Sequence, residues 1–108
     1  MNGWIYLIIA SFFEIFWAIG LKYTEGFSKL YPTIWTIITM LLSFIFLSQA
    51  VKSLPIGTAY AIWTGIGAAG TAVYGIFFFG ESKETIRIIC ILLIISGVIG
   101  LKFTSPNT

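Results

Sequence analysis

One residue of the chain is placed to do unusual chemistry, Glu14. It lies in an apolar run, residues 3–21, two positions past the midpoint at Phe12, or ~3 Å from the centre of a helix spanning that run. A charged carboxylate at that depth in a bilayer costs ~2.5 kcal/mol or more, and an ionisable residue so placed is by default a proton or ion site. The nearest basic residue along the run, Lys22, is ~12 Å further along a helix axis, at the run's end. No local salt bridge therefore accounts for Glu14. The bland role is a neutral side chain hydrogen-bonded to a neighbouring helix. The functional role is exchange. A carboxyl withdrawn from water holds a proton or a cation rather than standing bare, and each expels the other. That mutual exclusion is the minimum requirement of antiport.

Helical spacing puts Ala10, Ser11, Trp17 and Ala18 on the face of Glu14. Trp17 offers an aromatic wall for a cation and an indole N–H that can orient the carboxylate, although a Trp in an apolar helix is more often packing. A second patterned face runs through Gly57, Tyr60, Thr64, Gly67, Thr71 and Gly75, with Trp63 alongside. Small residues at such spacing let helices approach closely. Tyr60 and Trp63 fit a close seam poorly and read better as cavity walls. Gly65 and Gly67 mark a flexible or kinked point. Ser43 is a mid-membrane hydroxyl that either serves the site or bonds its own i−4 carbonyl.

These residues need elements to hold them, and composition names the elements. Of 108 residues, 58% are hydrophobic and 9% charged, with a mean hydropathy of +1.00. A soluble domain carries about 25% charge, so the composition argues against a soluble protein and excludes a disordered chain. Four apolar runs, residues 3–21, 33–51, 56–79 and 86–104, each approach the ~20 residues that cross a bilayer as a helix. The reading is a single four-helix transmembrane domain over residues 1–108, with its first run an uncleaved span. Connections at 22–32, 52–55 and 80–85 carry Gly26, Pro32, Pro55 and Gly80 as loop punctuation. Arg87 and Lys102 lie near the two ends of the fourth run and can snorkel to the headgroups. There is no His, no Asp and one cysteine, Cys90. Metal sites, disulfides and Cys–His or Ser–His–Asp catalysis lack their parts. No phosphate loop of the GxxxxGK type is present, and a net charge of +2 gives no nucleic-acid footprint. The expectation is no enzyme, no cofactor, no metal and no nucleic-acid partner.

Four short helices do not easily enclose a pathway, so an oligomer is expected. With depth measured toward the Lys22 face, Glu14 lies at about +3 Å and Trp63 at about −7 Å. In an inverted copy Trp63 moves to about +7 Å, close to the depth of Glu14. Inverted repeats around a midplane site are a standard transporter solution. Lys52 and Lys102 mark one face and Lys22, Lys29, Lys83 and Arg87 the other, a weak orientation bias by the positive-inside rule. An antiparallel dimer is favoured.

Two stretches carry a family resemblance. The first is Glu14-Ile15-Phe16-Trp17-Ala18, followed by Leu21-Lys22-Tyr23 and Gly26-Phe27. The second runs Lys52-Ser53-Leu54-Pro55-Ile56-Gly57-Thr58-Ala59-Tyr60-Ala61-Ile62-Trp63-Thr64-Gly65-Ile66-Gly67. Along its whole length the chain resembles the small multidrug resistance family of bacterial four-helix transporters. The resemblance implies an all-α membrane protein that works as an antiparallel, dual-topology homodimer in the inner membrane. It also implies that Glu14 and its copy bind substrate and protons competitively. Trp17-Ala18, where the polyaromatic-cation exporters usually have Gly-Thr, and Lys52 before the Leu-Pro look like the guanidinium-exporter branch. In that branch the residues matching Trp17, Ser43, Tyr60 and Trp63 orient or line the glutamate site. One departure is Cys90, seven residues before Gly97, where many members have Gly.

The physics of guanidinium suits these residues. The ion is planar and weakly hydrated, it pairs with a carboxylate through two N–H groups, and its face stacks on indole. The expected function is proton-coupled export of guanidinium and small singly substituted guanidinyl cations. The alternatives are a multidrug antiporter of the same family, one half of a heterodimer of opposite-facing homologues, and a non-transporting subunit or pore. A pore calls for a continuous polar stripe, which this chain lacks.

Overall fold

The computed structural model describes residues 3–104. Four helices follow one another: α1 Gly3–Thr24, α2 Leu30–Ala50, α3 Ile56–Phe78 and α4 Thr85–Thr104, with no strand among the described residues. All four are long and apolar enough to cross a membrane. Each satisfies its own backbone polar groups, which lipid requires of a spanning segment.

The helix ends differ from the apolar runs in informative ways. α2 begins at Leu30, so Pro32 lies in its first turn rather than in the loop. Proline is tolerated there because its missing N–H is one that helix starts leave unpaired anyway. α1 continues to Thr24, whose hydroxyl donates to the Leu21 carbonyl at 2.7 Å and accepts the Phe27 N–H at 3.2 Å. Gly26, at φ +74°, supports the tight connection that follows. Lys102 snorkels along α4 and rests its ammonium 4.4 Å from the centre of the Trp4 ring.

Packing is uneven. α1 is the hub, against α2 on one side and α3 on another, while the α2 and α3 backbones come close only briefly and meet through side chains. The core is small: Trp4, Leu7 and Ala10 of α1, Ala50 and Leu54 from the end of α2 and the turn after it, and Ala59, Ile62 and Trp63 of α3. Between helices in lipid the attraction is close van der Waals contact and polar bonding rather than water exclusion. Small side chains at the seams serve that end. Gly20 admits Trp35 and Thr36 of α2, and Gly70 admits Ile15 of α1. α4 takes α3 as its backbone neighbour and no other helix. Only Ile91 of α4 is buried, and a Cβ added at Gly97 or Gly100 would touch no other helix of the chain.

Candidate functional site

Glu14 projects from the middle of α1 toward α3 and meets it at Gly67. A Cβ on residue 67 would collide with the carboxyl, lying 2.5 Å from Oε1 and 2.8 Å from Cγ. Only glycine lets the carboxylate lie so close to the α3 backbone. The helix runs unbroken through Gly65 and Gly67, and Gly65 does a similar service on the other side, where a Cβ would meet Val98 of α4 at 2.5 Å. The two glycines thus provide close approach along a continuous helix.

The carboxylate is polar and unanswered. Glu14 Oε1 is buried and has no hydrogen-bond partner among the described residues. Burying such a group without a partner costs several kcal/mol in an apolar medium, so a site of this kind asks for a ligand. It borders a cavity of about 370 Å³ whose walls include Ala18, Thr64, Gly67, Thr71 and Glu81. Trp17, one turn along α1, also has a buried indole N–H without a partner. Its ring stands edge-on to Phe44 of α2 at 6.4 Å.

Ser43 does not bond its own helix. Its hydroxyl, fully buried, donates to the Ala10 carbonyl of α1 at 2.7 Å and accepts the Trp63 indole N–H at 2.9 Å. One side chain of α2 therefore ties α1 to α3, one turn before Glu14 on α1 and one turn before Gly67 on α3. Trp63 is 7% exposed and belongs to the core. Phe44 and Tyr60 pack on it, with ring centres 5.8 and 5.6 Å away. Tyr60 itself is 55% exposed and stands at the margin of the cluster. Within one chain, then, Ser43, Trp63, Tyr60 and Phe44 form one connected group with Trp17 at its edge, and Glu14 faces the α3 cavity beside it. Glu81 was absent from the residues singled out by spacing. It lies in the turn before α4, and only the course of that turn brings it to the cavity.

Fold and site together define a four-helix membrane protein with an unpaired carboxylate sunk midway into its first helix. The comparisons specify it. The profile of the Small Multidrug Resistance protein family matches residues 2–94. Curated proteins similar to this chain include the "Guanidinium exporter" of Proteus vulgaris, 56% identical over 95% of this chain and 99% of its own length. The "Guanidinium exporter" of Salmonella typhimurium is 55% identical and that of Escherichia coli K12 52%, each over 95% of this chain and 98% of its own length. The chain belongs to the Small Multidrug Resistance family, and it is a multi-pass protein of the bacterial inner membrane.

Proposed function

We propose that this protein is a proton-coupled antiporter that exports guanidinium and small singly substituted guanidinyl cations, with Glu14 as the site shared by cation and proton. The observation that carries it is the Glu14 carboxylate, buried in mid-helix without a donor and open to a cavity. A guanidinium ion supplies the two parallel N–H donors that such a group accepts. It also brings the charge that neutralises the carboxylate in lipid. The names and high identity of the relatives support the same substrate. Trp17, Ser43, Tyr60 and Trp63 are the residues that line or orient the site. The Trp17 ring beside Phe44 takes volume that a bulky polyaromatic cation would need, which disfavours the multidrug reading.

The working unit we propose is an antiparallel homodimer. Its support is the exposure of the single chain: α4 carries a bare apolar face, and the Glu14 cavity is open rather than enclosed. Two Glu14 copies sharing such a site would titrate as a pair.

Two experiments test these statements. In proteoliposomes, Glu14→Gln abolishes both guanidinium binding and proton-coupled uptake. In the unmodified protein guanidinium binding weakens as pH falls, because the protonated carboxyl has lost the charge the cation needs. Coupled exchange by the Gln variant, or guanidinium binding independent of pH, overturns the Glu14 assignment. In a Cys90→Ser background, single cysteines placed in the loops label from both sides of the membrane. Labelling from one side only, with no opposite-facing homologue present, overturns the antiparallel arrangement.

A further inference from the structure

The cavity that Glu14 borders contains a second carboxylate, and a ladder along α3 connects the two. Gly67, Thr71 and Gly75 follow at intervals of four and share one face of the helix. Glu14 lies on Gly67. Glu81 lies on Gly75 in the same manner, since a Cβ there would come within 2.6 Å of its Cδ and Oε1. The turn that achieves this is defined. Gly80 adopts φ +67°, a left-handed conformation glycine takes without strain, and the Glu81 N–H then returns to the Gly75 carbonyl at 3.1 Å. The two carboxylates are thus separated by the rise from residue 67 to 75, ~12 Å.

Thr71 stands halfway. A threonine inside a helix commonly bonds its own i−4 carbonyl. The Thr71 hydroxyl does not, and it is buried without any partner. It lines the cavity between the carboxylates, an acceptor left open in the middle of the ladder.

Glu81 already holds a cation, and that cation is a guanidinium. Arg87 Nη2 meets Glu81 Oε1 at 3.4 Å. The contact is single and long, far from the two-pronged geometry that makes arginine–carboxylate pairs strong. The Arg87 Nε–H is buried and unpartnered, and nearly half of each side chain is exposed. The other nearby cation, Lys22, rests 5.6 Å from the Phe79 ring centre. A pair this loose is readily exchanged.

We propose that Glu81 is a second, outer station for the exported cation, at the Lys22 end of the Glu14 cavity, and that Arg87 occupies it until an incoming guanidinium takes its place. The inference rests on the guanidinium reading above. Replacing one guanidinium by another at Glu81 keeps the carboxylate paired, and the displaced Arg87, already partly exposed at the helix end, turns to water and headgroups. From there the Thr71 hydroxyl offers an intermediate acceptor on the way to Glu14.

The test is initial-rate guanidinium transport by the full chain in proteoliposomes, at low and high ionic strength. Glu81→Gln is expected to raise KM about two- to fivefold at low salt, the range of an exposed ion pair, with kcat at saturating guanidinium nearly unchanged. The effect shrinks at high salt as the station is screened. Arg87→Gln is expected to lower KM by a similar factor, and to have no effect on KM in the Glu81→Gln background, because the residues act through one contact. Glu81→Asp keeps the charge and restores most of the KM, and with Arg87→Gln it carries the test where the Gln variant inserts poorly. An unchanged KM in Glu81→Gln, or a loss of kcat alone, overturns the outer station. Failure of the underlying reading shows differently: the unmodified protein does not transport guanidinium, or Glu14→Gln still does.

Discussion

Gly67→Ala isolates the placement of Glu14 from its chemistry. The added methyl would lie 2.5 Å from Oε1 and 2.8 Å from Cγ of Glu14, against an ordinary contact distance of 3.4 Å or more. The carboxyl must therefore retreat by roughly an ångström. It is the far end of a flexible side chain, so it yields and the helices stay. Alanine also favours the helix over glycine by ~1 kcal/mol, so the subunit keeps its stability. What changes is the aim of the two oxygens toward a planar cation. A hydrogen bond to a charged group contributes ~1.5–3 kcal/mol, and misaligning one of the two weakens guanidinium binding by about tenfold or more. The assay is guanidinium Kd by titration calorimetry on detergent-solubilised protein, with circular dichroism and thermal unfolding as fold controls. Gly57→Ala is the matched control on the same helix, since a Cβ there meets nothing within 4 Å, and it leaves Kd unchanged. A Gly67→Ala protein that is folded and binds guanidinium with unmodified affinity refutes the reasoning that this glycine fixes the carboxylate.

Two further substitutions probe the neighbours. Ser43→Ala removes the link between the Ala10 carbonyl and the Trp63 indole N–H. The Trp63 donor is left buried and unpaired, so thermal unfolding should show a loss of about 1–3 kcal/mol; an unchanged unfolding midpoint counts against the link. Trp17→Gly weakens guanidinium transport by the equivalent of ~0.5–2 kcal/mol, the worth of a cation–π contact, and admits bulkier cations. Comparable transport of guanidinium and a large polyaromatic dication by the unmodified protein would move the assignment to the multidrug branch.

The four helices were legible because lipid imposes one crude requirement, a run of apolar residues about 20 long, and each run meets it. Their ends were less so. Nothing in the hydropathy of residues 30–32 separates a loop from a first helical turn that tolerates Pro32. Glu14 was legible for the opposite reason, as the one acid deep in a run. The bonds of Ser43 were not, because spacing along α2 cannot say which helix its hydroxyl faces; a bond back to its own helix was an equal prospect, and the structure directs it to Ala10 of α1. The i+4 recurrence of Gly67, Thr71 and Gly75 was visible as a seam for helix approach. That Gly75 also admits a carboxylate, from Glu81, depends on a turn at Gly80 whose backbone conformation no residue pattern along α3 encodes.

The isolation of α4 bears on the order in which the subunit is made. The Ala10–Ser43–Trp63 connection and the buried residues around Leu7 and Ile62 come from α1 to α3 and the turn after α2, with Val98 and Leu101 of α4 packed against them. α1 to α3 leave the ribosome ahead of α4, as N-terminal parts of a chain do during synthesis. The fully buried core residues lie in α1 to α3 and the turn after α2, so α4 adds little burial of its own. Its retention beside α3 rests on Ile91, Val98, Leu101 and the Lys102–Trp4 contact. The last helix to be made is thus the one with most of its apolar surface still uncovered by its own chain.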